Sequence, residues 1–432
     1  ADADLLDTLV FITEHPTPIL GGFDPQYLEL PSEVLVTVMR HHQKYFSVEG
    51  ADGKLAPNFI AVMNTNADPE GLVRRGNERV LRARFNDARF FWQVDQQKKL
   101  ADRVADLASV TFQAKLGSYL EKTKRNVALA SELAAMSGVD IATAARAAEL
   151  LKADLTTEMV KEFTDLQGVV GGLYAKVQGE SDAVSQAIYD HYKPTSMEDS
   201  IPSTREGLLV SLADKLDTLR GCFAVGLQPT GSKDPFALRR AAQGVVRILV
   251  EGKLEFPLAE LVGADQQLRE FLLDRIKYYF REVRGFKYDE VNAVLASSAE
   301  NLPDVEARLK ALQAVRPTEN FEPLAASFKR IQNIVRQASF ERGGSVAEPL
   351  LEAGPERALY DEFKRASETA RGSEYLPALE AIASMRAAVD LFFDKVLVNA
   401  QDAEVRRNRL TLLASILTEF STIADFSEIV TQ

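Results

Sequence analysis

The chain has 432 residues, 46% hydrophobic and 26% charged, with a formal net charge of −12 and a single cysteine, Cys222. That length supports several domains with full cores, and no segment has the unbroken apolar run of a membrane span. One cysteine cannot form an internal disulfide, so a cytoplasmic location is expected, and the acidic balance excludes a surface that coats nucleic acid throughout while allowing local basic faces.

Residues 1–105 read as a mixed α/β domain. An apolar helical pattern over Leu5–Ile12 meets the breakers Pro16, Pro18, Gly21 and Gly22, and a second helix starts after Pro31 with Ser32 as its cap. Tyr45–Val48 and Asn58–Met63 flank Asp52-Gly53, which predicts a hairpin. A helix over 71–97 follows. At 100° per residue it places Val80, Leu81, Phe85, Ala88, Phe91 and Trp92 on one arc and Arg75, Arg79, Arg82, Asn86 and Arg89 on the other. The basic arc is either a track for RNA phosphates or a solvated face bridged to nearby acids. Arg84 falls inside the apolar arc, where an acidic partner is expected.

Residues 106–325 read as all-helical, with loops at 179–182, 194–202 and 227–234. Within this span Thr230–Arg240 reads TGSKDPFALRR: a small-residue turn, a lysine, Asp234 as N-cap and Pro235 at the first helical position. A helix over 235–250 would bury Leu238, Ala241, Ala242, Val245, Ile248 and Leu249 and present Phe236, Arg240, Gln243 and Arg247 opposite. Lys233 and the free N–H groups at such a helix start suit a phosphate, with Arg239, Arg240 and Arg247 extending the contact. The alternative is a helix end satisfied by Asp234 alone, with the arginines in solvent.

The proline-marked stretch 315–323 is the expected linker to a last helical domain, 326–432. There Met385, Ala388, Val389, Phe392, Phe393, Val396 and Leu397 form one stripe, and Val405, Leu412, Leu413, Ile416 and Phe420 another. Arg409 lies within the second stripe. Asp390 or Asp394 is its expected partner, because an unpaired buried guanidinium is costly.

Autonomous chemistry finds little support. His41 and His42 are adjacent and diverge by about 100° on a helix, His15 has no partner in sequence, and Cys222 sits in a packed-looking segment. No Walker loop or nucleophile elbow occurs.

TGSKDPFALRR is joined by HHQKYF (His41–Phe46), DLTTEMVKEFTDLQGVVGGLYA (Asp154–Ala175), LADKLDTL (Leu212–Leu219) and VRRNRLTLL (Val405–Leu413). These five strings, in this order, resemble the β subunit of bacterial heterotetrameric glycyl-tRNA synthetases. The resemblance implies a mainly α fold: an N-terminal α/β region, a central HD-like helical domain and a C-terminal helical anticodon-binding domain similar to that of arginyl-tRNA synthetases. It implies a tRNA-binding subunit that supports ATP-dependent attachment of glycine to tRNA(Gly), with the catalytic centre in the α subunit. The α subunit and tRNA(Gly) are then the partners, with no membrane and no DNA. No cofactor is expected in this chain, ATP and Mg being used by the complete synthetase, and a start at Ala1 rather than Met implies a piece lacking the family's amino-terminal part, with Gln432 at its natural end.

Carried onto the matching strings, the RNA contacts are Lys233, Arg239, Arg240, Arg406, Arg407 and Asn408, with Lys44 and Tyr45 as a further pair, and Arg247, Arg75, Arg79 and Arg82 are added from their helix faces. Arg409 is assigned to the fold. In the HD-like span the paired histidine is replaced by Ala153 beside Asp154, the distant acid is Asp214, and His191 is the only histidine of 106–325. Catalytic residues and metal ligands are therefore expected to be none, with Asp154 and Asp214 as degenerate positions. The competing readings are an HD-type metal-dependent phosphohydrolase and a purely architectural subunit.

Overall fold

A computed structural model describes residues 2–340, 344–372 and 374–430, so both ends, Ala1 and Gln432, lie outside the described residues. The fold is mainly helical, as the sequence predicts, with a three-stranded sheet near the start and a short two-stranded pairing of Thr111–Gln113 with Gly117–Ser118 inside the span read as all-helical. Contacts divide the chain into two units, Ala1–Gly244 and Val245–Gln432, a boundary the sequence reading did not draw.

In the first unit the predicted hairpin forms from β2 (Phe46–Glu49) and β3 (Leu55–Met63), with Gly53 at φ 74 in its turn. The sheet also gains β1 (Thr17–Gly22), paired antiparallel to β3 on its other edge. The prolines and glycines read as breakers therefore lie in or beside an edge strand, where proline is tolerated. Period-two alternation along β3 sends Phe59, Ala61 and Met63 into the core. Gly21 sits opposite Phe59, and a Cβ there would stand 2.3 Å from the ring, so only glycine admits this aromatic.

The helix Leu72–Asp95 buries Leu81, Phe85 and Ala88, whereas Val80, expected inside, is 46% exposed. Arg84 does find an acid, Glu162, 3.2 Å away, but at the surface. At the helix end Asp95 is buried. Its carboxylate accepts the backbone N–H groups of Glu158 and Met159 and the Tyr174 hydroxyl, which ties this helix to the central segment.

The central helices start on sequence-coded caps. Ser118 and Glu121 form a capping box for Tyr119–Ser137, Asp140 caps Ile141–Leu150, and Thr204 caps Arg205–Ala224. The last of these is buried nearly all round, including Asp214, Lys215 and Asp217.

In the second unit the stretch read as a linker is a tight turn between the helices Leu302–Val315 and Phe321–Gln337. Arg316 pins it to Asp289 and Glu290 at 2.7 and 3.0 Å. Phe328, Phe363 and Phe420 pack edge to face, and Phe426 adds to the same core. The buried Arg308 donates to the carbonyls of Val294, Ser298 and Ile423, joining residues on either side of 325. The predicted stripes form the helices Arg386–Lys395 and Ala403–Phe420. Val396 and Leu397 lie beyond the first helix, and Leu397 is 71% exposed.

Candidate nucleic-acid interface

The basic arc of Leu72–Asp95 is at the surface. Arg75, Arg79 and Arg82 are exposed, and among the described residues their side chains have neither a hydrogen-bond nor an ion-pair partner. Spaced three and four residues apart, they form one row on the helix. Arg89, further along, is occupied by Gln26 and Asn86.

The Thr230–Arg240 segment folds differently from its prediction. Thr230 and Lys233 exchange backbone hydrogen bonds to close the turn, and the helix begins at Leu238 rather than Pro235. Asp234 still caps it, accepting the N–H groups of Leu238 and Arg239 at 2.8 and 2.9 Å. Ala237 bridges the gap in the left-handed region, φ 53. Asp234 thus occupies the helix start that a phosphate would need. Lys233 and Arg240 remain exposed, with no side-chain partner among the described residues, and Arg239 donates to the Gly231 carbonyl.

Three expected contact residues are corrected. Arg247 and Gln243 are buried, and Arg247 is held by Glu251 at 2.7 Å, because the apolar arc of this helix is wider than the six residues assigned to it. Tyr45 is buried and stacks on Phe59 with ring centres 4.7 Å apart, so Lys44, φ 57, is the surface member of that pair and its ammonium donates to the His41 carbonyl. Asn408 is buried and exchanges hydrogen bonds with the backbone of Ala347, which fixes a loop.

Arg406 and Arg407 are exposed, and among the described residues their side chains have no partner. Arg409 is buried and paired as a fold residue, but its partners are Glu356 and Glu352, each at 2.9 Å, instead of Asp390 or Asp394. Asp390 faces Arg386 at 3.5 Å.

The degenerate centre is closed by lysines that the sequence reading missed. Lys152 is buried, and its Nζ lies 2.9 Å from both His191 Nε2 and Asp214 Oδ2, with the Tyr192 ring 3.8 Å away. His191 Nδ1 donates to the Ile188 carbonyl, which leaves Nε2 as acceptor for the ammonium. Burial, aided by Lys152, holds the His191 pKa well below its ordinary value. Burial opposes ionisation of Asp214, but Lys122 and Lys152 overcome it and keep the pKa well below the usual carboxylate range. The donor pair a divalent ion would use is therefore filled by an ammonium, and a metal does not fit without displacing it. Among the described residues no group of three His, Cys, Asp or Glu is placed to hold an ion.

Asp154 does not join this cluster. Its Oδ2 accepts the Gly168 N–H at 2.5 Å, Oδ1 has no partner, and burial raises its pKa to about 6. The signal that could have found Lys152 was in plain sight: it stands two residues before Asp154, in place of the metal-binding chemistry the resemblance lacked. No described helix is long and apolar enough to cross a membrane.

Comparison with known proteins places the sequence among glycine–tRNA ligase beta subunits. The chain is 51% identical to a glycine–tRNA ligase beta subunit of Acidobacterium capsulatum and 42% identical to that of Moorella thermoacetica, each over 99% of this chain and 65% of the relative. It thus spans about 65% of the length of these curated relatives. The family profile described as "Glycyl-tRNA synthetase beta subunit" matches residues 1–296, and with both findings in hand the chain belongs to the glycyl-tRNA synthetase beta subunit family.

Proposed function

We propose that this chain is an RNA-handling part of a glycine–tRNA ligase, supporting ATP-dependent glycylation of tRNA(Gly) carried out in the active site of an α subunit. ATP and Mg serve that partner, and the cytoplasm is the compartment. One observation supports this most: on a chain of net charge −12, Arg75, Arg79 and Arg82 share a helix face and none of the three is in an ion pair among the described residues. A row of arginines at three- and four-residue spacing, with no ion pair, is available to a polyanion. Lys233 and Arg240 in the first unit, and Arg406 and Arg407 in the second, offer further unpaired donors with the same chemistry.

Binding of a tRNA(Gly) transcript measured at several salt concentrations tests the reading. Affinity that falls as salt rises is expected; no binding at low salt, or binding indifferent to salt, removes it. Glycylation by an α subunit with and without this chain then reports whether the handling serves charging.

A further inference from the structure

Beside the lysine-filled centre the first unit holds a cavity of about 600 Å³, of whose lining the RNA reading uses only Arg240. Its size falls within the range of small-molecule sites. Lys215, Asp214 and Tyr192 form its floor, and Phe236 and Arg240 stand at its mouth. We infer that this cavity binds one nucleoside monophosphate unit, with its base against Tyr192 and Phe236 and its phosphate at Arg240.

The walls carry the inference. Phe236 is 38% exposed and lines the cavity, so its ring is accessible to a ligand there. Its position is maintained by a strained backbone: Ala237, the next residue and also part of the wall, is held at φ 53 by the turn that Asp234 closes. Tyr192 has the Lys152 ammonium 3.8 Å from its ring centre and the His191 ring centre 3.9 Å away at a 40° tilt, the two bonded to each other, which holds the tyrosine ring in place. A pair of aromatic rings, one fixed and one exposed, is the usual means of holding a nucleobase without reading its sequence.

Charge sets the rest of the ligand. Arg240 is the guanidinium at the mouth with no partner among the described residues, whereas Lys193 is bound to Asp190 at 2.9 Å. Lys215 is turned away to the carbonyls of His191, Tyr192 and Lys193 and the Ser211 hydroxyl. One free fork matches one phosphate. Asp165 and Asp199 on the lining oppose a second or third phosphate and can accept hydrogen bonds from ribose hydroxyls or base amino groups. The same chemistry is met by a free mononucleotide or by an unpaired nucleotide of an RNA; in the second case the inference rests on the RNA-handling reading above.

Titration of the full chain with AMP, GMP, CMP and UMP in turn, without added metal, is expected to give saturable binding of at least one. Phe236→Ala and Arg240→Gln should each weaken it about tenfold. Both side chains are exposed, so neither change opens the core, and Ala237→Gly, which relaxes the turn without removing a contact group, should weaken binding while the fold gains stability. No saturation by any of the four up to about 10 mM, or binding that Phe236→Ala and Arg240→Gln leave unchanged, overturns the inference. If a tRNA(Gly) transcript displaces the bound mononucleotide, the natural occupant is an unpaired RNA nucleotide; if it does not, the occupant is a free one. Transcript binding without mononucleotide binding overturns the cavity and leaves the RNA reading intact, and mononucleotide binding without transcript binding does the reverse.

Discussion

Arg409 shows how a charged side chain can be placed from sequence and its partner missed. A guanidinium within an apolar stripe demands a counter-charge, and the helix before it offered Asp390 and Asp394; the fold instead brings Glu356, 53 residues away in sequence and 1% exposed. Arg409→Met should therefore lower stability by about 3 to 5 kcal/mol in urea unfolding, since it strands a buried carboxylate, and adding Glu356→Leu should restore most of the loss. Asp154 gives a pH-dependent case. Burial raises its pKa from the usual 3.8 to about 6, so the native state keeps a proton that the unfolded chain has already released. The stability from this group is complete below its unfolded pKa and is lost as pH rises through about 6, a change of roughly 3 kcal/mol. Denaturant midpoints of the parent and Asp154→Asn, compared between these limits, should diverge by about that amount, the variant losing the less as pH rises.

Single elements obey local rules except where a neighbour intervenes. The Thr17–Gly22 strand carries a proline and two glycines, composition that reads as a loop, yet it pairs because it lies at an edge and because Gly21 admits the Phe59 ring across the sheet. Gly21→Ala should destabilise the first unit by about 1 to 3 kcal/mol, seen as a lower midpoint, because the new methyl must displace that ring. The helix after Asp234 is the converse: all its start signals are present, but the carboxylate caps Leu238 and Arg239, and the three-residue step from Pro235 to Leu238 ends on Ala237 at positive φ. Ala237→Gly should raise stability by about 1 kcal/mol, since the left-handed region is strained for alanine and open to glycine.

Over the whole molecule the net charge is −12, so binding to a polyanion should depend on local basic faces such as the Arg75, Arg79 and Arg82 row rather than on net charge. Replacing Arg75, Arg79 and Arg82 together with glutamine should reduce the slope of log affinity against log salt for a tRNA(Gly) transcript by about two to three, near one per lost phosphate contact, with the unfolding midpoint unchanged. The sequence by itself determined the helical class, the hairpin, most helix starts and the exposed arginine row, because periodicity, caps and turn residues act over a few positions. It also carried the family resemblance, in strings whose residues turn out to meet: His41 of one lies 3.5 Å from Asp165 of another. Tertiary structure alone decided that Tyr45, Arg247 and Asn408 are inside, that Lys152 fills the space between His191 and Asp214, and that packing joins residues on either side of position 325. Those outcomes depend on which distant groups share a desolvated space, where an unpaired charge is too costly to persist, and spacing along the chain does not encode such encounters.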